Sequence, residues 1–183
     1  MTTYIAFMRA INVAGHAIIK MEDLRAAFAA AGCRNVRTFI QSGNVIFECA
    51  KERSEVIFQK VGVKVRDLLN AEPSILFRTL HEVEGIVKAE PFKDINAGTE
   101  IKFCVAFLFQ KPRTKPRLPV ASSKEFVEAI AMKDLDVFIL SRRKPNGFFG
   151  FPSNFIEKEL GVSATSRNWS TVTKIVEFAR RVV

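Results

Sequence analysis

Histidine is nearly missing from this chain, with His16 and His81 the only two in 183 residues. Tryptophan and tyrosine occur once each, and the three cysteines, Cys33, Cys49 and Cys104, are odd in number and far apart. Such a set excludes a disulfide frame and a metal knuckle, whose ligands come closely spaced in pairs, and it reads as reduced thiols. Phosphate-loop and dinucleotide signatures are absent, as is the nucleophile elbow G-x-S-x-G, so no cofactor and no metal are expected. No stretch approaches the roughly 18 uninterrupted apolar residues of a membrane span. The start, MTTYIAFMRAINVAGH, has no basic region ahead of a pure apolar core and therefore does not read as a signal peptide. These absences together predict a cytoplasmic protein with no membrane partner.

Apolar residues, by contrast, are plentiful. A hydrophobic fraction of 48% with 17 phenylalanines excludes intrinsic disorder, and the length suits one large domain or two small ones. Basic residues are in excess and unevenly placed. Residues 1–100 hold 13 basic and 12 acidic side chains, whereas residues 101–183 hold 15 and 7, so nearly all of the net +9 lies in the second half. A basic half attracts anions such as nucleic acid, acidic lipid or phosphorylated small molecules; the plainer alternative is lysine used for solubility.

The hydrophobic periodicity sets out the elements. TYIAFMRAI (3–11) reads as a strand, and Met21, Leu24, Phe28 and Ala31 fall at helical spacing before Gly32. NVRTFIQ and NVIFECA are strand-like runs joined by a tight Ser-Gly turn, Ile57, Val61, Val65 and Leu68 mark a second helix, and SILFRTL is a fourth strand. The order β-α-β-β-α-β is the ferredoxin-like one. Thr79 and Glu82 stand at capping-box spacing for a short helix that Pro91 blocks. IKFCVAFLF (101–109) is apolar on both faces and predicts a central strand, followed by the basic connector QKPRTKPRLP. Ser122 and Glu125 predict a capped helix carrying Phe126 and Ile130. DLDVFILSRR and FFGF predict a second hairpin around the turn KPNG. Phe155, Ile156 and Leu160 mark a short helix ended by Gly161, VSAT a last short strand, and a terminal helix follows. The predicted fold is α+β, with two ferredoxin-like α-β plait domains, 1–95 and 96–183, plus a C-terminal helix.

Three motifs, FMRAINVAGHAIIKMEDLRAAF, GCRNVRTFIQSGNVIFE and ATSRNWSTVTKI, occur in that order across essentially the full chain. In them the chain resembles the bacterial domain-of-unknown-function 1697 family, which usually has glycine where this chain has Ala10 and Ala14. The resemblance implies a cytoplasmic bacterial protein of two α-β plait domains, and it brings no activity with it.

Three constellations are candidates for function. Arg9, Asn12 and His16 follow the first strand; with Lys20, Gln41 and Asn44 at the same sheet edge they suit a small transferase-like or hydrolytic enzyme. Arg37 and Arg78, on strands two and four, are predicted to gather with Arg9 on the open sheet face, there to bind an anion or to pair with carboxylates. The stretch Thr165, Ser166, Arg167, Asn168, Ser170 and Thr171 opens the last helix, where unpaired amides, hydroxyls and a guanidinium suit a phosphate or carboxylate. The bland alternative is that these groups only cap the helix and brace the preceding loop. The third constellation is the basic set Lys111, Arg113, Lys115, Arg117, Arg142, Arg143 and Lys144, which suits a nucleic-acid backbone. The third strand, GNVIFECA, lacks the aromatic pattern of an RNA-recognition domain, so no sequence-specific RNA reading follows. The composition favours a binding module for nucleic acid, a nucleotide or a phosphorylated metabolite; a small enzyme and a structural or oligomer-forming protein are the alternatives, and oligomeric state is not legible.

Overall fold

Burial on both faces from Tyr4 to Met8 is what makes Thr2–Met8 (β1) a central strand of the first sheet: Tyr4, Ala6 and Met8 point to one face and Ile5 and Phe7 to the other. The computed structural model describes residues 1–9, 11, 18–114 and 116–181. In it the chain is a mixed α+β protein with two antiparallel sheets and, among the described residues, five α-helices. It divides into two compact units, one of residues 1–85 with 176–183 and the other of residues 86–175.

The first unit runs β1, α1 (Met21–Ala30), β2 (Arg34–Phe39), β3 (Asn44–Cys49), α2 (Ser54–Leu69), β4 (Ile75–Thr79) and the start of α3 (Leu80–Lys88). Its four strands lie in the order β2-β3-β1-β4, all neighbours antiparallel, so the order β-α-β-β-α-β read from the sequence is the one observed. Helices α1 and α2 cover one face through Leu24, Phe28, Ile57, Val61 and Val65, packed on Tyr4, Ala6, Val45 and Phe47. Phe28 and Phe77 meet Phe47 edge to face at ring distances of 5.3 and 6.1 Å. The predicted Ser-Gly turn is present, and Gly43 is required there twice over. Its φ is +71°, and a Cβ would stand 2.6 Å from Ile11 Cδ1 and 2.8 Å from Met8 Cβ. The capping box is also formed: Glu82 accepts from the Thr79 amide at 2.6 Å while the Glu82 amide donates to Thr79 Oγ1 at 3.2 Å.

The face predicted to be open is not. Ile5 and Phe7 are fully buried, and the last turns of the terminal helix α5 (Trp169–Arg180) lie against β2, with Phe178 5.4 Å from Phe39.

The second unit departs further from expectation. Its sheet has the order β6-β7-β8-β5-β9, formed by β5 (Ile101–Leu108), β6 (Val120–Ser122), β7 (Val127–Lys133), β8 (Asp136–Arg142) and β9 (Ala164–Asn168). The helix expected after Ser122 is absent. Ser122 Oγ does accept from the Glu125 amide at 3.2 Å, but this closes a turn, after which Val127 and Ala129 alternate inward as strand β7. The unit therefore runs β-β-β-β-α-β, without the first helix of a plait. The hairpin expected around KPNG shrinks to a turn and a single bridge between Arg143 and Phe149. The hairpin proper is β7–β8, whose turn begins at Asp134 with φ +53°. Helix α4 (Pro152–Leu160), ended by Gly161 at φ +65°, packs Phe155 and Ile156 on Cys104, Ala106 and Leu108. The other face of β5 carries an aromatic cluster: Phe92 stacks on Phe103 at 4.5 Å and meets Trp169 edge to face at 5.3 Å.

Candidate functional site

Strand register divides the basic residues of the second half into two groups. Arg142 pairs with Ile101 at one end of β5, whereas Leu108, at the other end, donates its amide to Leu135 in the β7–β8 turn. The seven intervening steps span roughly 23 Å at the usual strand rise. The connector after β5 leaves from the Leu135 end and carries Lys111, Arg113 and Arg117; Arg142, Arg143 and Lys144 sit at the opposite end. Lys115 lies outside the described residues.

The two groups differ in their partners. Lys111, Arg113 and Arg117 are exposed and, among the described residues, have no ion pair or side-chain hydrogen bond. Lys111 stands on the wall of an open cleft of about 580 Å³ whose lining also includes Thr114, Leu118, Met132 and Asp134, and Arg113 and Arg117 neighbour lining residues on the same connector. A cation on that wall can meet an anion without first breaking an internal pair. At the other end Arg142 is bridged to Glu128 at 2.6 Å, and Arg143 lies 3.6 Å from Glu100 while donating from Nε to the Gly147 carbonyl oxygen. Among the described residues no such partner holds the half-buried Lys144 side chain.

The stretch 165–171 is braced from within. Register sets Thr165 opposite Phe107 and Arg167 opposite Val105 on β5. Thr165 is buried, and Arg167 donates from Nη1 to Thr165 Oγ1 at 3.0 Å and to the Ser166 carbonyl oxygen at 2.8 Å. Burial pushes the Arg167 guanidinium down to about 10, so it still carries its charge at neutral pH. The Ser166 hydroxyl is 2.7 Å from that of Ser153, and Asn168 Oδ1 accepts from Cys104 Sγ at 3.5 Å. Asn168 is the last residue of β9 and α5 begins at Trp169; Ser170 is exposed and Thr171 half-buried in its first turn. The hydroxyls and amide are thus largely engaged with their own strand and its neighbours.

The first-strand constellation is only partly in view, because Asn12 and His16 lie outside the described residues. Arg9 is half-buried at the end of β1, and the neighbouring Met8 amide donates to the Gly43 carbonyl oxygen at 2.8 Å, which brings Arg9 beside the Gln41–Asn44 turn. Gln41 and Lys20 are exposed, Lys20 immediately before α1. Asn44 is fully buried, and its Nδ2 donates to the Phe39 carbonyl oxygen at 3.2 Å and to Ser42 Oγ at 2.9 Å, so its amide holds the turn. Arg37 does not gather with Arg9. It donates to the carbonyl oxygens of Phe178 and Ala179 at 3.0 and 3.3 Å, closing the C-terminal end of α5 where the helix dipole is negative. Its guanidinium also stands 5.0 Å over the Phe178 ring.

Among the described residues no cluster of histidine, cysteine, aspartate and glutamate suits a metal ion. Burial drives the Cys33 and Cys104 thiols up to about 12 and raises Cys49 as well, which leaves all three protonated and unreactive at neutral pH. Nor is any helix among the described residues long and apolar enough to cross a membrane.

Comparison with known proteins bears on this geometry. The family described as protein of unknown function (DUF1697) matches residues 1–138. The chain belongs to this family. The matched part of the DUF1697 protein contains the Gly43 turn and the basic connector, while the Ala164–Ile175 motif lies beyond it. The fold is similar to that of the conserved bacterial protein SP0830 from Streptococcus pneumoniae, with a TM-score of 0.61 over 97% of this chain and 98% of that one. Identity is 18%, so the likeness shows the fold alone. No curated protein matches the chain.

Proposed function

We propose that this DUF1697 protein binds an anionic ligand, a nucleic acid or a phosphorylated nucleotide or metabolite, through its basic C-terminal half. The observation that carries the reading is the set Lys111, Arg113 and Arg117: exposed, without carboxylate partners among the described residues, and carried on one connector whose Lys111 lines an open cleft of about 580 Å³. A phosphate meeting these cations loses little to competition from internal pairs, whereas Arg142 and Arg143 must share their charge with Glu128 and Glu100. Three buried, protonated thiols suit a reducing cytoplasm. We read the first unit as a ferredoxin-like plait on its strand order. Changing Lys111, Arg113 and Arg117 together to serine tests the assignment, with anisotropy of a labelled oligonucleotide and displacement by nucleotides and inorganic phosphate as the readouts. Loss of binding in this variant, with retention in Arg142→Ser, is the expected result. Equal binding by wild type and the triple variant overturns it.

A further inference from the structure

The loop between β8 and α4 exposes two aromatic rings on a backbone that is held in place. Phe148 is 73% and Phe151 57% exposed, while Phe149 between them is half-buried with the Lys102 ammonium 4.0 Å over its face. The loop itself is tied down. The Lys144 amide donates to the Phe148 carbonyl oxygen at 2.7 Å, and the Phe148 amide to Asn146 Oδ1 at 3.1 Å. The buried Ser141 hydroxyl donates to the Gly150 carbonyl oxygen at 2.7 Å. Gly150 is wedged so close to the turn below that a Cβ there would sit 2.6 Å from the Phe126 carbonyl oxygen. Exposed phenylalanines ordinarily fold down onto their own surface; here the backbone fixes two of them outward, with cations alongside.

We infer that this loop is a stacking platform for single-stranded nucleic acid, with Phe148 and Phe151 each receiving the face of one base and Lys144 meeting the phosphate beside them. The inference rests on the anion-binding reading above and names its ligand class. Base stacking on aromatic rings is tolerant of sequence because every base has a π-face, and it works beside cations that meet the backbone. Glu128 and Glu100 already engage Arg142 and Arg143, so Lys144 is the cation left to meet a phosphate, with Lys102 held over the Phe149 ring. That balance speaks against docking on an acidic bilayer, which draws on a surplus of cations. Duplex DNA keeps its base faces stacked internally and offers the rings nothing.

The test uses the full chain and a labelled oligothymidylate of about 12 nucleotides. Phe148→Ala and Phe151→Ala are each expected to weaken binding roughly 5- to 150-fold, with binding to a duplex unchanged. Both rings are largely exposed, so melting temperatures should stay at the wild-type value. Phe148→Trp should bind the oligonucleotide as wild type does, with the new indole quenched on binding. Wild-type affinity in both alanine variants, with loss only in the Lys111, Arg113 and Arg117 variant, refutes the platform and leaves the anion-binding reading standing. If the wild type binds neither oligonucleotide, nucleotide nor phosphate, both readings fail. Binding to phosphatidylcholine–phosphatidylserine vesicles that depends on the two rings, with no binding to the oligonucleotide, refutes the platform as well.

Discussion

Gly150→Ala examines how firmly the exposed loop is tied to its sheet. Gly150 has an ordinary φ, so backbone strain contributes nothing, and the whole penalty comes from space. A Cβ would meet the Glu125 and Phe126 carbonyl oxygens and Val127 Cγ2, the last two at 2.6 Å. Carbonyl oxygens in a closed turn cannot swing aside as a side-chain tip can. Overpacking of this kind is worth about 1–3 kcal/mol. The shift also pulls the Gly150 carbonyl oxygen from the Ser141 hydroxyl, which is 1% exposed and bonded at 2.7 Å, for about a further 1–3 kcal/mol. The expected destabilisation is therefore roughly 2–6 kcal/mol, read from urea unfolding followed by the fluorescence of Trp169, the one tryptophan, which lies in the same unit. Gly147→Ala is the control. It has φ +83° but nothing within 4 Å of the added carbon, so only the left-handed backbone cost of about 1–2 kcal/mol applies. An unfolding midpoint for Gly150→Ala equal to that of wild type, or above that of Gly147→Ala, would refute the reasoning.

Two more outcomes follow from buried and capping groups. Arg37→Met removes the donors to the Phe178 and Ala179 carbonyl oxygens and should destabilise the end of α5 by about 1–2 kcal/mol, seen as faster amide exchange in its last turn; unchanged exchange would mean the cap contributes nothing. The cysteine thiols give an alkaline signature. Their folded values lie above the ordinary 9.0, with Cys33 and Cys104 at about 12, so the unfolded chain releases protons first and stability falls as pH rises from about 9 toward 12. Between about pH 9 and 10 Cys33 and Cys104 should each remove roughly 1 kcal/mol, and Cys104→Ala should lose correspondingly less than wild type; identical slopes would contradict the sign or the burial.

The first unit was legible because local signals and global packing agree there. The 3.6 periodicity of Leu24 and Phe28, the Thr79–Glu82 box and the Gly43 turn each specify one local geometry, and the sheet uses all of them. In the second unit a local signal competed with a longer one. The Ser122–Glu125 hydrogen bond is made, but Val127 and Ala129 alternate with Glu128 and Ile130, and strand pairing with β8 wins over the i, i+4 pair Phe126 and Ile130. The candidate surface was half legible. The connector's charge could be counted, but the absence of ion pairs at Lys111, Arg113 and Arg117 among the described residues could not, because Glu128 reaches Arg142 only through the β7–β8 register and Glu100 reaches Arg143 only beside β5. Arg37 likewise looked like a sheet-face cation, since its helix-capping partners lie 141 and 142 residues away. The exposed rings of Phe148 and Phe151 read as part of a strand and gave no sign of facing solvent.

The central claim is that Lys111, Arg113 and Arg117 neutralise ligand phosphates. The most direct measurement is the salt dependence of oligonucleotide affinity, as log Kd against log salt, for wild type and for the variant with all three changed to serine. Each phosphate contact to a single strand releases about 0.7 counterion, so the account predicts a slope shallower by about 2 in the variant, with weaker binding throughout. A variant that binds with the wild-type slope and affinity would contradict it.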